Sequence, residues 1–87
     1  MLTSFDLIVL RGTSPAVARL TSEVGRVALS GLYAYGEARI RTYATRQALL
    51  RLEAEGLVAR IRYEPDKWCR TMAGQRAVEA ETERSVS

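Results

Sequence analysis

The segment from Thr42 to Thr71, TYATRQALLRLEAEGLVARIRYEPDKWCRT, most restricts the folds open to this chain. It begins with apolar residues at helical spacing, reaches Gly56, and continues directly into two short segments separated by Glu-Pro-Asp-Lys. A glycine after a helical pattern is a common C-terminal stop, and proline followed by aspartate is typical of a type I turn. The segment therefore predicts a helix that passes without a linker into a β-hairpin.

Spacing within this segment assigns each residue to a face. We expect the helix at about 42–55, with Thr42 as its N-cap and Gly56 as the glycine that ends it. The inner face of the helix is expected to hold Thr45, Ala48, Leu49 and Leu52, and the opposite face Tyr43, Gln47, Arg51 and Ala54. The hairpin strands are predicted at about 57–63 and 68–71. The first strand places Leu57, Ala59, Ile61 and Tyr63 on one face and Val58, Arg60 and Arg62 on the other.

The remaining residues predict three more helices, at about 2–11, 15–29 and 72–84. Periodicity alone leaves 2–11 open between helix and strand, and Asp6 slightly favours helix. Ser14 and Pro15 are typical of a helix start, and the second helix would carry an apolar stripe of Val17, Leu20, Val24 and Val27. Thr71 is the expected cap of the last helix, and residues 85–87 are expected to fray.

Length and residue types exclude several classes of protein. A chain of 87 residues forms one domain, 1–87, with one modest core. It has no histidine and a single cysteine, Cys69, so the commonest metal ligand, the commonest general base and an internal disulfide are missing. We therefore expect no catalytic residues, no metal, no cofactor and no enzymatic activity. No apolar run is long enough for a membrane span, and a cytoplasmic location is expected.

Positive charge is concentrated just before and inside the predicted central helix. Residues 31–51 carry four arginines and one glutamate, a net +3 that equals the net charge of the whole chain. Twelve of the thirteen cations are arginine, whose planar fork suits phosphate and guanine. A GC-rich genome would produce the same enrichment, so composition does not separate the two explanations.

Two motifs resemble known families of regulators. The run TRQALLRLEAEGLVAR is similar to the recognition helix and first wing strand of GntR-type regulators, and TMAGQRAV resembles the Thr-x-x-Gly segment after the wing in PadR-type and MarR-type regulators. Residues 41–78 carry most of the resemblance, and SFDLIVLRGTSPAVARLTSEV is loosely similar to the start of PadR-type proteins. The resemblance implies a winged helix-turn-helix, mainly α with a small β-hairpin.

In such a fold the recognition helix enters the major groove and the wing contacts the flanking backbone or the minor groove. Gln47 would then pair with adenine, Arg46 with guanine and Arg51 with a phosphate. The full set of expected DNA-binding residues is Arg41, Thr42, Tyr43, Arg46, Gln47, Arg51, Arg60, Arg62, Lys67 and Arg70. Alternative roles stay open for these arginines. Arg51 is also at the right spacing for an ion pair with Glu55 at i+4, and charged wing residues are also typical of a hairpin edge that must stay soluble. Trp68 is expected to anchor the hairpin on the core.

The expected function is sequence-specific binding of double-stranded DNA by a small repressor that acts as a homodimer. Four apolar residues of the first helix are too many for one small core, and they define the expected dimer surface: Leu2, Phe5, Ile8 and Val9. The alternative is a winged-helix module that binds protein, for example a small mobile-element protein acting on a host factor. Mild net charge and an outward Leu50 favour that alternative.

Overall fold

The computed structural model describes residues 2–29, 38–61 and 65–86, which form four α-helices and a three-stranded antiparallel sheet. In chain order the elements are α1 (Ser4–Arg11), β1 (Arg19–Leu20), α2 (Thr21–Ala28), α3 (Ala38–Ala54), β2 (Val58–Ile61), β3 (Lys67–Arg70) and α4 (Met72–Val86). The strands lie in the order β1-β3-β2. The predicted mainly α architecture with a hairpin is confirmed, and it is compatible with a winged-helix arrangement.

Helix α1 begins with a capping box built by Thr3 and Asp6. The Asp6 amide donates to Thr3 Oγ1 at 3.1 Å, and the Thr3 amide donates to Asp6 Oδ2 at 3.4 Å. Such reciprocal bonds satisfy amides that a helix start leaves unpaired. The segment is therefore a helix and not a strand, and the capping bonds of Asp6 stabilise its start. Helix α1 ends at Arg11, as predicted.

The predicted helix over 15–29 is wrong in its first half. Ser14 Oγ accepts from the amides of Ala16 and Val17 at 3.1 and 3.2 Å, so it caps a turn rather than a helix. The chain then forms strand β1, and α2 begins only at Thr21. Of the expected apolar stripe, Val24 is buried but Val17 is 60% exposed. Pairing of β1 with β3, far away in sequence, outweighs the local helical period here.

Helix α3 is longer at its N-terminus than predicted. It begins by Ala38, so Thr42 lies within the helix and is not its N-cap. The expected inner face is confirmed, since its four residues are all fully buried: Thr45, Ala48, Leu49 and Leu52.

The C-terminus of α3 has the predicted glycine stop. The amides of Gly56 and Leu57 donate back to the carbonyls of Glu53 and Leu52, both at 2.9 Å. This is the Schellman pattern, and Gly56 adopts the left-handed φ of +76° that it requires. The chain leaves the helix here in the direction of β2.

The hairpin packs one face inward. Val58 is buried, Ala59 is exposed and Arg60 is half-buried, so the arginine-bearing face of β2 is turned toward the core side. Trp68 in β3 is fully buried, and its Nε1 donates to Thr21 Oγ1 at 2.7 Å. The expectation that Trp68 anchors the hairpin is therefore confirmed.

Thr71 and Gly74 join α4 to the end of α3. Thr71 Oγ1 accepts from the Gly74 amide at 3.1 Å, which caps α4 as predicted, and donates to the Gly56 carbonyl at 2.7 Å. A Cβ on Gly74 would lie only 2.1 Å from the Leu57 carbonyl oxygen. The Thr-x-x-Gly spacing thus permits close contact between the start of α4 and the start of the hairpin. Helix α4 runs to Val86, slightly beyond its predicted end.

Candidate nucleic-acid interface

The outer face of α3, which we define as Arg39, Ile40, Tyr43 and Gln47, lies opposite the buried face of the helix. Tyr43 and Ile40 are 67% and 62% exposed, and Arg39 is also exposed. Gln47 is half-buried. The predicted outward orientation of Tyr43 and Gln47 is confirmed, and the four residues together offer a cation, an aromatic ring, an aliphatic chain and an amide.

Four of the predicted α3 contact residues lie off this face, and two of them, Arg41 and Thr42, are turned toward α2. The Arg41 side chain runs beside α2, with Cγ 3.6 Å from the position that a Cβ would take on Gly25. Its buried Nε has no hydrogen-bond partner within the described residues. Thr42 is half-buried and turns toward the start of α2, where it lines a cleft.

Arg46 lies on the flank of α3 and pairs with the hairpin. Its Nη1 donates to Asp66 Oδ2 at 3.2 Å, and Arg60 Nη1 approaches the same oxygen at 3.5 Å. Arg60 also lies 3.5 Å from Glu53 Oε2, and its guanidinium carbon is 5.5 Å from the centre of the Trp68 ring. One carboxylate therefore connects a cation of α3 to a cation of β2.

Arg51 pairs with α1, so the alternative of an i+4 pair with Glu55 is not the arrangement that the structure shows. Arg51 Nη2 and Nε donate to Asp6 Oδ1 at 2.8 and 3.1 Å. Burial of the Asp6 carboxyl raises its pKa, but the hydrogen bonds from Arg51 and Thr3 outweigh burial, and the pKa lies below its ordinary value. The Asp6 hydrogen bond in turn raises the pKa of Arg51. This pair fixes the C-terminal half of α3 to α1.

Arg70 is turned into the protein. Its guanidinium donates to Thr13 Oγ1 at 3.2 Å, to Gln75 Oε1 at 2.6 Å, to the Arg11 carbonyl at 3.3 Å and to the Thr13 carbonyl. Burial, with the nearby charge of Arg19, lowers the pKa of Arg70. These bonds connect β3 to the loop after α1 and to α4.

The remaining predicted wing residues are Lys67 and Arg62. Lys67 is exposed on β3, opposite Leu20 and Ile61 in the two adjacent strands. Arg62 lies outside the described residues.

A cleft of about 220 Å³ separates the start of α2 from α3 and from the turn before β3. Its walls are formed by Leu20, Thr21, Ser22, Thr42, Arg46, Pro65 and Asp66. The cleft places three hydroxyl side chains next to the Arg46 and Asp66 pair, beside the exposed half of α3.

The predicted dimer surface on α1 is only partly exposed. Val9 is fully buried in the core, so its assignment to an interface is corrected to a core role. Leu2 and Phe5 are partly buried and pack against the core, and Ile8 is half-buried. The first helix therefore has fewer free apolar side chains than its sequence suggests.

Sequence inspection missed the partners of the arginines. Asp6 and Asp66 each accept from an arginine of α3, but they lie 45 and 20 residues away in sequence. The available signal was a lone aspartate inside the apolar run of 2–10, since a buried carboxylate needs a cation.

Within the described ranges no helix is long and apolar enough to cross a membrane, and no cluster of histidine, cysteine, aspartate or glutamate would hold a metal ion. Comparisons with family models, curated proteins and solved structures gave no match to this chain. Proposals about function therefore depend on the geometry of α3 and the hairpin.

Proposed function

We propose that this protein is a winged helix-turn-helix that binds double-stranded DNA with sequence preference and serves as a small transcriptional regulator. The observation that carries the proposal is the outer face of α3. It is exposed along the N-terminal half of the helix, while α1 and α2 cover the opposite face. A helix with one free face beside a β-hairpin has the shape that enters a major groove.

The side chains of this face, together with Arg46 on the adjoining flank, suit contacts with DNA. Gln47 offers an amide that pairs with adenine N6 and N7, and Arg46 a guanidinium that fits guanine O6 and N7. Ile40 and Tyr43 supply apolar surface for a thymine methyl group or a sugar. Arg39 is exposed near the start of α3 and suits phosphate contact.

The wing contributes less charge than its sequence suggests. Lys67 is exposed on β3 and suits a phosphate, as does Arg39. Arg60 and Arg70 are tied to partners inside the protein, as is Arg51 on α3. We assign these three arginines to the scaffold that holds α3 and the hairpin in position.

A homodimer remains part of the proposal, because one module of this kind covers only about 600–1,000 Å² of its own surface. Two copies related by a two-fold axis would place two α3 helices about 34 Å apart, one turn of DNA. Leu2, Phe5 and Ile8 are the residues of α1 left for such a contact. Sedimentation at micromolar concentration tests it: a 9.7 kDa species throughout rejects the dimer.

The salt dependence of binding tests the DNA proposal. Each phosphate contact should add about −0.9 to the log–log slope of affinity against salt, giving about −4 to −7 for two chains. Arg39→Ala and Lys67→Ala should each make the slope shallower by about 0.9 per chain. Arg76→Ala, an exposed α4 residue outside the proposed interface, is the charge-matched control. A chain that fails to bind any duplex at low salt rejects the proposal.

A second candidate is binding of a protein through the same face. Ile40 and Tyr43 are spaced by three residues, and both are more than 60% exposed. Adjacent exposed apolar side chains are common where a helix contacts a protein partner. Leu50 no longer supports this candidate, because it is partly buried and packs against the core. Absence of DNA binding by the folded chain would favour the protein-binding function.

A further inference from the structure

The carboxylate of Asp66 lies within the proposed DNA interface, where a negative charge should weaken binding. It contacts Arg46, the one α3 arginine suited to a guanine, at 3.2 Å. The Arg46 side chain is still 43% exposed, whereas Asp66 is only 25% exposed. A guanidinium has five N–H donors, and Asp66 accepts from Nη1 alone, so Arg46 keeps donors for a second acceptor.

The positive charge of Arg60 lies next to Asp66. Its Nη1 lies 3.5 Å from the Asp66 oxygen, and its own side chain is only 18% exposed between Glu53 and the Trp68 ring. Because Arg60 is confined on several sides, its charge favours one placement of the Asp66 carboxylate, and the hydrogen bond to Asp66 in turn restrains the Arg46 guanidinium. A restrained guanidinium loses less side-chain entropy when it binds a base.

We infer that Asp66 is a positioning residue that makes Arg46 select a base edge over a phosphate; this rests on the proposed function. A phosphate that approaches Arg46 carries a full negative charge and is repelled by the Asp66 carboxylate. Guanine O6 and N7 are neutral acceptors and meet much weaker repulsion. Repulsion of the wrong ligand class is a general source of specificity.

The test measures affinity for two duplexes, one selected by the wild-type chain from a random pool and one of random sequence. Asp66→Asn should raise affinity for random duplex about two- to fivefold. A change of this size corresponds to the small free energy that a surface ion pair contributes. Affinity for the selected duplex should not rise, so the ratio of the two affinities falls. The salt slope on random duplex should steepen by about 0.9 per chain as Arg46 gains a phosphate.

Two further variants separate this role from a change in charge or stability. Glu55→Gln removes the same charge from an exposed position at the end of α3, and should leave the affinity ratio unchanged. Arg46→Lys keeps the charge but lacks the planar fork, so it should lower the ratio without making the salt slope shallower. In an Arg46→Ala chain, Asp66→Asn should no longer change the ratio.

Each negative result has a distinct meaning. If the wild type binds no duplex at low salt, the proposed function and this inference both fail. If the wild type binds selected and random duplex equally, the sequence preference in the proposed function fails together with this inference. If the wild type prefers the selected duplex but Asp66→Asn leaves the ratio unchanged, the inference alone is overturned. An equal fall in both affinities with Asp66→Asn would show that Asp66 only stabilises the hairpin, which also overturns the inference.

Discussion

The two halves of α3 differ in what surrounds them. The C-terminal half is tied on several sides: Arg51 to Asp6, and the residues after Ala54 to Thr71 and α4. The N-terminal half keeps its inner face on α2 but leaves the outer face of α3 free. Within one helix, the same residue type therefore has two uses: Arg51 and Arg39 are both exposed, but Arg51 is hydrogen-bonded to Asp6 of α1. The partners that surround an arginine, more than its residue type, separate a structural role from the proposed DNA contact.

This comparison predicts that changes at the C-terminal end of α3 act on stability, and Gly74→Ala should have the largest effect. The added Cβ would lie 2.1 Å from the Leu57 carbonyl oxygen, which is held in place as the acceptor of the Thr71 amide. Relief of this overlap requires backbone movement, and we expect a loss of about 3 kcal/mol in the free energy of unfolding. Urea denaturation followed by circular dichroism measures it.

Gly56→Ala is the matched control for Gly74→Ala. It lies at the same junction and adds the same methyl group, but nothing lies within 4 Å of its Cβ position. Only the left-handed φ of +76° is unfavourable there, at a cost of about 1 kcal/mol. Equal losses for the two variants would show that α4 does not approach Leu57 closely.

The Asp6–Arg51 pair supplies the next largest effect, about 2 kcal/mol for Asp6→Asn at neutral pH, as for hydrogen bonds to a charged group. Because the folded pKa of Asp6 is lowered, its stabilisation is present above the unfolded value of about 3.9. It is lost as the pH falls through the folded pKa, where the carboxylate takes up a proton. The difference in unfolding free energy between wild type and Asp6→Asn should therefore be constant near pH 7 and shrink below about pH 4. A difference independent of pH down to pH 2 would contradict an ionised Asp6.

Local signals predicted much of this fold. The α3 stop at Gly56, the hairpin and the Thr71 cap each depend on residues close in sequence, and each is confirmed. Strand β1 was missed because two residues carry no periodicity, and its pairing with β3 depends on residues almost 50 positions away.

The candidate site was harder to predict for the same reason. The outward face of α3 follows from helical spacing, and the positions of Tyr43 and Gln47 were predicted correctly. The partners of Arg46, Arg51 and Arg70 come from other elements, and no local pattern identifies them. A list of exposed arginines from sequence therefore overestimates the charge available to DNA.

The smallest expected effect comes from the free half of α3, and it should appear in base preference rather than in stability. Gln47→Ala removes the amide proposed to pair with adenine, which should reduce discrimination at one base position by about 1 kcal/mol. The unfolding free energy of the Gln47→Ala chain should change little, because Gln47 has no described hydrogen bond and is not part of the core.

Competition between the selected duplex and single-base variants of that duplex measures the base preference. Lys67→Ala, a phosphate contact in the proposal, is the control and should weaken all these duplexes equally. If Gln47→Ala instead weakens every duplex by one factor, Gln47 does not recognise a base, and the free face of α3 would serve another partner.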